Sequence, residues 1–176
     1  MISSIDLIIL GYLFRGEKSA YEMVKEFETW DLTHWIKISN ASIYKKIIKL
    51  CENGYLNSKT IKEGEMPEKI VYSINTKGNE YFHKLMDESS TNFSNVYFDF
   101  SGFIANLNNL SADERHNLLK KFNNTLKAKN EYMNGAPKEE HKDLRSQNST
   151  AEDIIGLYED LYKLLDKWSS KLLEKY

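Results

Sequence analysis

The stretch that decides the fold is residues 39–62, SNASIYKKIIKLCENGYLNSKTIK. Its first half has the apolar periodicity of a helix, which is carried by Ile43, Ile47, Leu50 and Cys51. Ser39 or Asn40 can cap the start of this helix, and Gly54 suits the left-handed position just after its end. From residue 55 to 61 the pattern changes to that of a strand. The stretch therefore predicts a helix that turns directly into a β-strand.

Two shorter helices are predicted before this one. Residues 2–13 carry an apolar stripe at helical spacing, and Gly16 follows the end of that helix. Ser19, with Glu22 three residues later, has the spacing of a capping box. This pair predicts the start of a second helix, which ends near residues 28–31.

Downstream, the chain predicts a hairpin and a fourth helix. Residues 62–68 contain a glycine and a proline and form the expected turn. Residues 70–74 are rich in β-branched and aromatic side chains, as a second strand would be, and Asn75 or Thr76 can cap the helix that follows. Three helices followed by a two-stranded hairpin is the element order of a winged helix-turn-helix. In that module the third helix lies in the major groove of DNA and the hairpin touches the flanking backbone.

The net charge excludes a uniformly basic nucleic-acid-binding protein. The 176 residues include 24 basic and 26 acidic side chains, which gives a formal net charge of -2. The charge is unevenly distributed, however, since residues 37–62 hold six lysines and one acid, a local charge of +5. This excess coincides with the helix and hairpin that are expected to meet DNA. The coincidence favours a binding surface over a solvated lysine face.

Composition and motifs exclude several other classes of protein. Cys51 is the only cysteine, so an internal disulfide is impossible and a reducing compartment is favoured. The most apolar run, residues 5–14, is too short for a membrane span and lacks the basic start of a signal peptide, so we expect a cytoplasmic protein. The four histidines are scattered, and no phosphate-binding loop or metal-ligand motif is present. We therefore predict a protein that is not an enzyme and has no metal site or cofactor.

Residues 5–78 resemble the DNA-binding domain of PadR-family transcriptional regulators. The resemblance rests on four motifs, which are Ala20-Tyr21-Glu22-Met23, Ala41-Ser42-Ile43-Tyr44-Lys45, Leu50-Cys51-Glu52-Asn53-Gly54-Tyr55-Leu56 and Ile74-Asn75-Thr76-Lys77-Gly78, and on Pro67, Lys69 and Tyr72 in the hairpin. Ala20 and Ala41 stand where the family usually has glycine, and Lys45 stands where it has proline. The resemblance implies a dimeric transcription factor, commonly a repressor, whose DNA binding is relieved by a small ligand or another signal.

The candidate DNA-binding residues combine short hydrogen-bonding groups at the start of the third helix with cations along the helix and hairpin. They are Tyr21, Lys37, Ser39, Asn40, Ser42, Tyr44, Lys45, Lys46, Lys49, Lys62 and Lys69. Tyr21 and Lys69 are expected to position the domain on the DNA backbone. The third helix holds no arginine, the residue that most often contacts guanine, so we expect an operator that leans towards A·T pairs.

The rest of the chain is predicted to form a separate domain, with boundaries at 1–88 for the winged helix-turn-helix and 89–176 for a helical dimerisation domain. This second part is expected to be helical with polar breaks. It begins with an aromatic-rich linker helix over residues 93–107, continues with a helix that ends at Met133, and closes with a helix from Thr150 to about Lys175.

The last helix has apolar residues at the a and d positions of nearly three heptads. They are Ile154, Tyr158, Leu161, Leu165, Trp168 and Leu172. So wide an apolar stripe predicts a homodimer, although packing within one subunit would give the same pattern. A two-fold dimer places two recognition helices about one DNA turn apart, which predicts a pseudo-palindromic operator in double-stranded DNA.

Aromatic residues are concentrated in the predicted linker helix. They are Phe93, Tyr97, Phe98, Phe100 and Phe103. A flat aromatic effector could stack among them, although ordinary core and interface packing is the simpler interpretation of the same residues.

Two hypotheses about function remain open at the level of sequence. The first is a sequence-specific, homodimeric repressor of the PadR-like kind. The second is a protein-interaction adaptor that uses the same mainly α fold with a small two-stranded β wing, because a fold does not fix a function. Titration of the protein against promoter DNA and random DNA discriminates between the two.

Overall fold

The computed structural model describes residues 3–30, 32, 36, 38–62, 64, 67–93, 95–135 and 149–176. The chain divides into two compact units, Met1–Asn95 and Val96–Tyr176. The division lies a few residues beyond the predicted boundary at residue 88, because the last helix of the first unit continues to Thr91.

The described residues of the first unit form four helices and three strands. In chain order these are α1 (Ser4–Leu13), β1 (Lys18–Ser19), α2 (Ala20–Thr29), α3 (Asn40–Glu52), β2 (Leu56–Ile61), β3 (Lys69–Ile74) and α4 (Thr76–Thr91). The hairpin of β2 and β3 is antiparallel, from Leu56 opposite Ile74 to Ile61 opposite Lys69. The predicted mainly α fold with a small β wing is therefore confirmed.

The sequence does not predict strand β1, which adds a third member to the sheet. Its two residues pair with β3, Lys18 opposite Tyr72 and Ser19 opposite Val71, so that the strand order is β1-β3-β2. Two residues are too few to show the alternation by which a strand is recognised. The third strand is thus defined by its partner rather than by its own pattern.

The predicted helix caps in the first unit are confirmed. The Ser39 hydroxyl accepts a hydrogen bond from the backbone N–H of Ser42 at 3.3 Å, and Gly54 follows the C-cap of α3 with φ of 75°. At the start of α4, the Asn75 side chain accepts a hydrogen bond from the N–H of Gly78 at 2.9 Å. These caps fix where α3 begins and ends relative to the wing.

One hydrophobic core joins all the helices of the first unit. Its buried residues are Ile9, Leu10, Tyr12, Leu13, Met23, Val24, Phe27, Ile43, Ile47, Leu50, Leu56, Tyr72 and Leu85. Three of them, Ile43, Ile47 and Leu50, come from one face of α3. Since residues three and four apart share a helix face, their burial turns the opposite face of α3 outward.

Gly78 lies where α4 comes close to the chain between α3 and the wing. A Cβ at this position would overlap the backbone carbonyl oxygen of Tyr55 and would also crowd the side chain of Ile74. The glycine of the motif over residues 74–78 therefore permits this close approach, which no larger residue allows without a backbone shift.

The second unit consists of helices in the part that the structure describes. These are α5 (Ser101–Ala105), a 3₁₀ turn (Leu107–Asn109), α6 (Ala112–Gly135) and α7 (Ser149–Lys175). The side chain of Asn123 on α6 donates to the hydroxyl of Ser169 on α7, and Asn130 donates to Asp166, so the two long helices run antiparallel. Within the described ranges, no helix combines the length and the apolar character that crossing a membrane requires.

The predicted linker helix over residues 93–107 is wrong in its first half. Helix α4 ends at Thr91, the backbone of the following residue Asn92 is extended, and α5 begins only at Ser101. Phe93 and Tyr97 lie outside any helix and are largely exposed. Aromatic residues are weak helix formers, and a helix is stabilised mainly by burying one face, which these exposed side chains do not do.

We expect Gly78→Ala to lower the free energy of unfolding of the first unit by about 3 kcal/mol, because the added methyl group meets a backbone oxygen that cannot rotate away. Chemical denaturation followed by circular dichroism measures this loss. Gly156→Ala is the matched control, since a Cβ there meets nothing within 4 Å and alanine favours the helix. Equal stability of Gly78→Ala and the wild type would contradict the prediction.

Candidate nucleic-acid interface

The outward face of α3 is the centre of the candidate interface. Its exposed side chains include Ala41, Tyr44, Lys45, Ile48 and Lys49. A helix turns by about 100° per residue, so these positions lie opposite or beside the buried stripe. The face thus combines a phenol, two ammonium groups and an aliphatic side chain on one rigid element.

The polar groups at the start of α3 are held by contacts within the first unit. The hydroxyl oxygens of Ser39 and Ser42 lie 2.8 Å apart, and the side chain of Asn40 donates to the carboxylate of Glu28 on α2. A serine hydroxyl keeps acceptor capacity after one such contact. The Ser42 hydroxyl can therefore still accept a hydrogen bond, while the Ser39 hydroxyl is already occupied by the cap and the amide of Asn40 is oriented by Glu28.

The lysines of the candidate interface fall into two groups. Lys46 lies 3.0 Å from Asp6, Lys59 lies 2.7 Å from Glu17 and Lys69 lies 3.3 Å from Glu22 (in each case from the lysine Nζ to a carboxylate oxygen). By contrast, Lys45, Lys49 and Lys62 form no ion pair within the described part of the chain. The excess positive charge of residues 37–62 is thus partly neutralised by Asp6 and Glu17, which are distant in the sequence.

Two further candidate DNA-binding residues, Tyr21 and Lys62, lie outside α3. Tyr21 is in the first turn of α2 and is 66% exposed, and Lys62 directly follows β2 at the exposed end of the wing. Lys37 lies outside the described residues. The structure therefore presents Tyr21 and Lys62 to solvent, as a backbone contact would require.

Ile48 is a surface residue that the sequence analysis did not select. Its side chain is 49% exposed on the outward face of α3, next to Tyr44 and Lys45. The sequence could have identified this exposed residue, because residue 48 does not belong to the apolar stripe that residues 43, 47 and 50 form. An exposed aliphatic side chain on a recognition helix can contact the methyl group of thymine.

The capping box of α2 connects the candidate interface to the fold. Glu22 accepts hydrogen bonds from the backbone N–H and the hydroxyl of Ser19, both at 2.7 Å, and it also pairs with Lys69 on the wing. The bonds from Ser19, followed by the charge of Lys69, lower the pKa of the Glu22 carboxyl. Glu22 thus stays ionised and links the start of α2 to β3.

No metal or redox site emerges from the described residues. Within them, no three histidine, cysteine, aspartate or glutamate side chains are grouped as metal ligands. Cys51 is a partly buried free thiol on α3. His34 and His141 lie outside the described residues.

The predicted seam of α7 lies beside the side of the helix that packs on α6, and its Trp168 makes a ring contact with Phe122 of α6. Ser169 and Asp166, which bind α6, lie on one side of α7, and the buried Ile155 shares that side by its heptad spacing from residue 169. The predicted seam residues are partly or largely exposed, namely Ile154, Tyr158, Leu161, Leu165, Trp168 and Leu172. Leu157 and Leu164, which flank them, are 67% and 62% exposed.

An open apolar groove of about 520 Å³ runs along the same side of α7. It is lined by Phe98, Phe100, Ser101, Ile104, Ala105, Leu161, Leu164, Leu165 and Trp168. The Ser101 hydroxyl and the indole N–H of Trp168 are the polar side-chain groups of this lining. Three seam residues, Leu161, Leu165 and Trp168, therefore form part of an open apolar surface, on which Trp168 also contacts Phe122 of α6.

The first unit matches a known protein family over most of its length. Residues 9–84 match the model of the transcriptional regulator PadR-like family. The match spans most of the first unit and 43% of the chain, so it describes this domain. The resemblance seen in the sequence motifs is thereby confirmed. A curated relative, the negative transcriptional regulator PadR of Bacillus subtilis, is 29% identical over 75 residues, which cover 43% of the chain and 41% of that relative.

Solved structures share the fold of this chain. The crystal structure of Bacillus subtilis PadR in complex with operator DNA matches with a TM-score of 0.78 and 20% identity, covering 99% of the chain and 98% of that protein. The same protein in complex with p-coumaric acid matches with a TM-score of 0.80 and 20% identity, covering 97% of each chain. The likeness establishes that the helices beyond the PadR-like domain also follow a known architecture.

The lowered pKa of Glu22 gives the PadR-like domain a pH dependence. A carboxyl whose pKa is lowered by folding stabilises the folded state above its unfolded pKa, about 4.3, and this contribution is lost as the pH falls through the lower folded value. We expect Glu22→Gln to lower the free energy of unfolding by about 0.5 kcal/mol at pH 7, because glutamine keeps the capping contact but loses the charge beside Lys69, and by progressively less below pH 4. Urea denaturation across this pH range measures the difference.

Ser19→Ala provides the matched background for this measurement. It removes one of the bonds that lower the pKa of Glu22, so the further change to glutamine should have a weaker pH dependence there. A stability difference between wild type and Glu22→Gln that stays constant from pH 7 to pH 3 would contradict the assignment.

Proposed function

We propose that the protein is a homodimeric, sequence-specific DNA-binding regulator that represses transcription. The observation that carries this proposal is the outward face of α3, where Tyr44, Lys45 and Lys49 project from a PadR-like core. The Bacillus subtilis relative, a negative regulator whose structure with operator DNA is known, supports the same function. On this proposal the protein is not an enzyme, and it acts in the cytoplasm, where a bacterial chromosome lies.

The outward face of α3 would enter the major groove of the operator. Tyr44, Ser42 and Ile48 would read base edges or thymine methyl groups, whereas Lys45 and Lys49 would meet phosphates. Tyr21 and Lys62 would contact the flanking backbone. Because none of these side chains is an arginine, we keep the expectation of an operator that leans towards A·T pairs, and selection of bound sequences from random DNA tests it.

The uncovered side of α7 would be the dimer interface. Its groove is apolar apart from one hydroxyl and one indole N–H, Leu164 lines it, and the exposed Leu157 extends the apolar surface beside it. Such a surface matches a second copy of itself, since a two-fold dimer uses the same patch twice. It suits a carboxylate-bearing ligand poorly, because no cation lines it. The resulting dimer would read a pseudo-palindromic operator in double-stranded DNA.

A small aromatic effector would control DNA binding on this proposal. The support is the relative that is known in complex with p-coumaric acid, a phenolic acid. A ligand shifts the regulator towards one state only if it binds the two states with different affinities. The proposed effector would therefore bind more tightly to the form that is released from DNA.

We expect Lys45→Ala and Lys49→Ala each to reduce the slope of log K against log salt by about 0.9 per lysine, and hence by about two for a dimer. The reason is that each lysine would release one counterion from the DNA when it binds a phosphate. Fluorescence anisotropy with promoter DNA, measured at several salt concentrations, gives these slopes.

Lys127→Ala on α6 is the matched control, since Lys127 is exposed but lies outside the PadR-like domain. Its slope should equal that of the wild type. If the wild type binds promoter DNA no better than random DNA at every salt concentration, the regulator proposal is wrong and the adaptor hypothesis gains support.

We expect Leu164→Glu to convert the dimer into a monomer, because the substitution places a charge in the centre of the apolar surface. Size exclusion with light scattering at micromolar concentration measures the mass. Lys167→Glu, which lies on another side of α7, should leave the mass of a dimer unchanged. A wild-type protein that is monomeric under these conditions would contradict the proposed interface.

A further inference from the structure

Asp6 is a buried carboxylate directly beneath the recognition helix. It lies in the first turn of α1, and its side chain is 8% exposed. Lys46 on α3 approaches to 3.0 Å from Oδ1 and donates to Oδ2 at 3.2 Å, and the Tyr81 hydroxyl on α4 lies 3.4 Å from Oδ2. One carboxylate thus joins three helices of the PadR-like domain.

Lys46 and Lys45 are neighbours in sequence, but their side chains lie on different sides of α3. Lys46 lies about 100° further round α3, towards the buried face. Its ammonium group also donates to the hydroxyl of Ser3 at 3.1 Å, so two of its three N–H donors are engaged inside the domain. Lys45 lies on the outward face and forms no ion pair among the described residues.

The surroundings of Lys46 leave room for its side chain to move. It is 33% exposed and lines an open polar cavity of about 270 Å³ beside Lys49 and Asn53. A cavity of this volume leaves space beside the lysine side chain. The negative charge of Asp6, together with Ser3, is therefore what holds the ammonium group in place.

We propose that Asp6 is a positioning residue for DNA recognition, which keeps Lys46 away from the phosphate backbone. The inference rests on the proposed function. A phosphate contact adds affinity for every DNA sequence alike, whereas specificity depends on base contacts. By keeping one lysine per subunit away from the phosphates, Asp6 lowers the affinity for random DNA. The same ion pair fixes the rotation of α3 about its axis.

The test compares the salt dependence of binding for Asp6→Asn, Lys46→Met, the double variant and Lys45→Ala. Lys46→Met should keep the wild-type slope, whereas Lys45→Ala should reduce it by about 0.9 per subunit. Asp6→Asn should steepen the slope by about the same amount and raise the affinity for random DNA roughly fivefold. The double variant should return to the wild-type slope, because the released lysine is then absent.

Glu80→Gln is the matched control for charge. It removes one exposed acid of α4 without releasing Lys46, so its slope should equal that of the wild type. Circular dichroism identifies any variant that does not fold. If Asp6→Asn does not fold, the salt slope of Lys46→Met alone shows whether Lys46 contacts a phosphate or is held by Asp6.

The outcomes separate this inference from the proposed function. A slope reduced in Lys46→Met as much as in Lys45→Ala places Lys46 on a phosphate and overturns the inference, while DNA binding itself stands. An unchanged slope in a folded Asp6→Asn overturns it as well. Absence of salt-dependent DNA binding by the wild type overturns both proposals.

Discussion

Burial of one stripe of α3 is the constraint on which the rest of the candidate interface depends. Ile43, Ile47 and Leu50 pack into the core of the first unit, and this packing sets the rotation of the helix about its axis. A rotation by one residue would bring Lys46 outward and turn Lys45 away from the exposed face. The recognition surface is therefore a consequence of core packing, reinforced by the Ser39 cap and by the Asp6 carboxylate.

Ion pairs across the fold decide how much of the positive charge is available to a partner. Glu17 and Glu22, which lie before and within α2, reach lysines of the wing. Asp6 does the same for one lysine of α3. Partly exposed pairs contribute little stability each, but they redistribute charge on the surface. Among the described residues from 38 to 62, the lysines without an ion pair are Lys45, Lys49 and Lys62, and these are the ones that the proposed function assigns to DNA.

Helix α7 has two faces with different chemistry. The side towards α6 contains a buried polar contact from Asn123 to Ser169, and such a contact favours one register of two packed helices over others. The other side is apolar and largely open, with Trp168 in contact with Phe122 of α6. An apolar helix face that stays partly exposed within its own unit is stabilised by packing against another surface. The proposed dimer provides that surface.

The sequence by itself determined the elements of the first domain, because caps, glycines and apolar spacing act over three or four residues. Ser19, Ser39, Gly54 and Asn75 all lie where their local chemistry predicts. Only the tertiary structure decided the two-residue strand β1, the burial of Asp6 and the pairing of Lys46. Each of these depends on partners that are distant in the chain, and a local pattern carries no information about which distant groups meet.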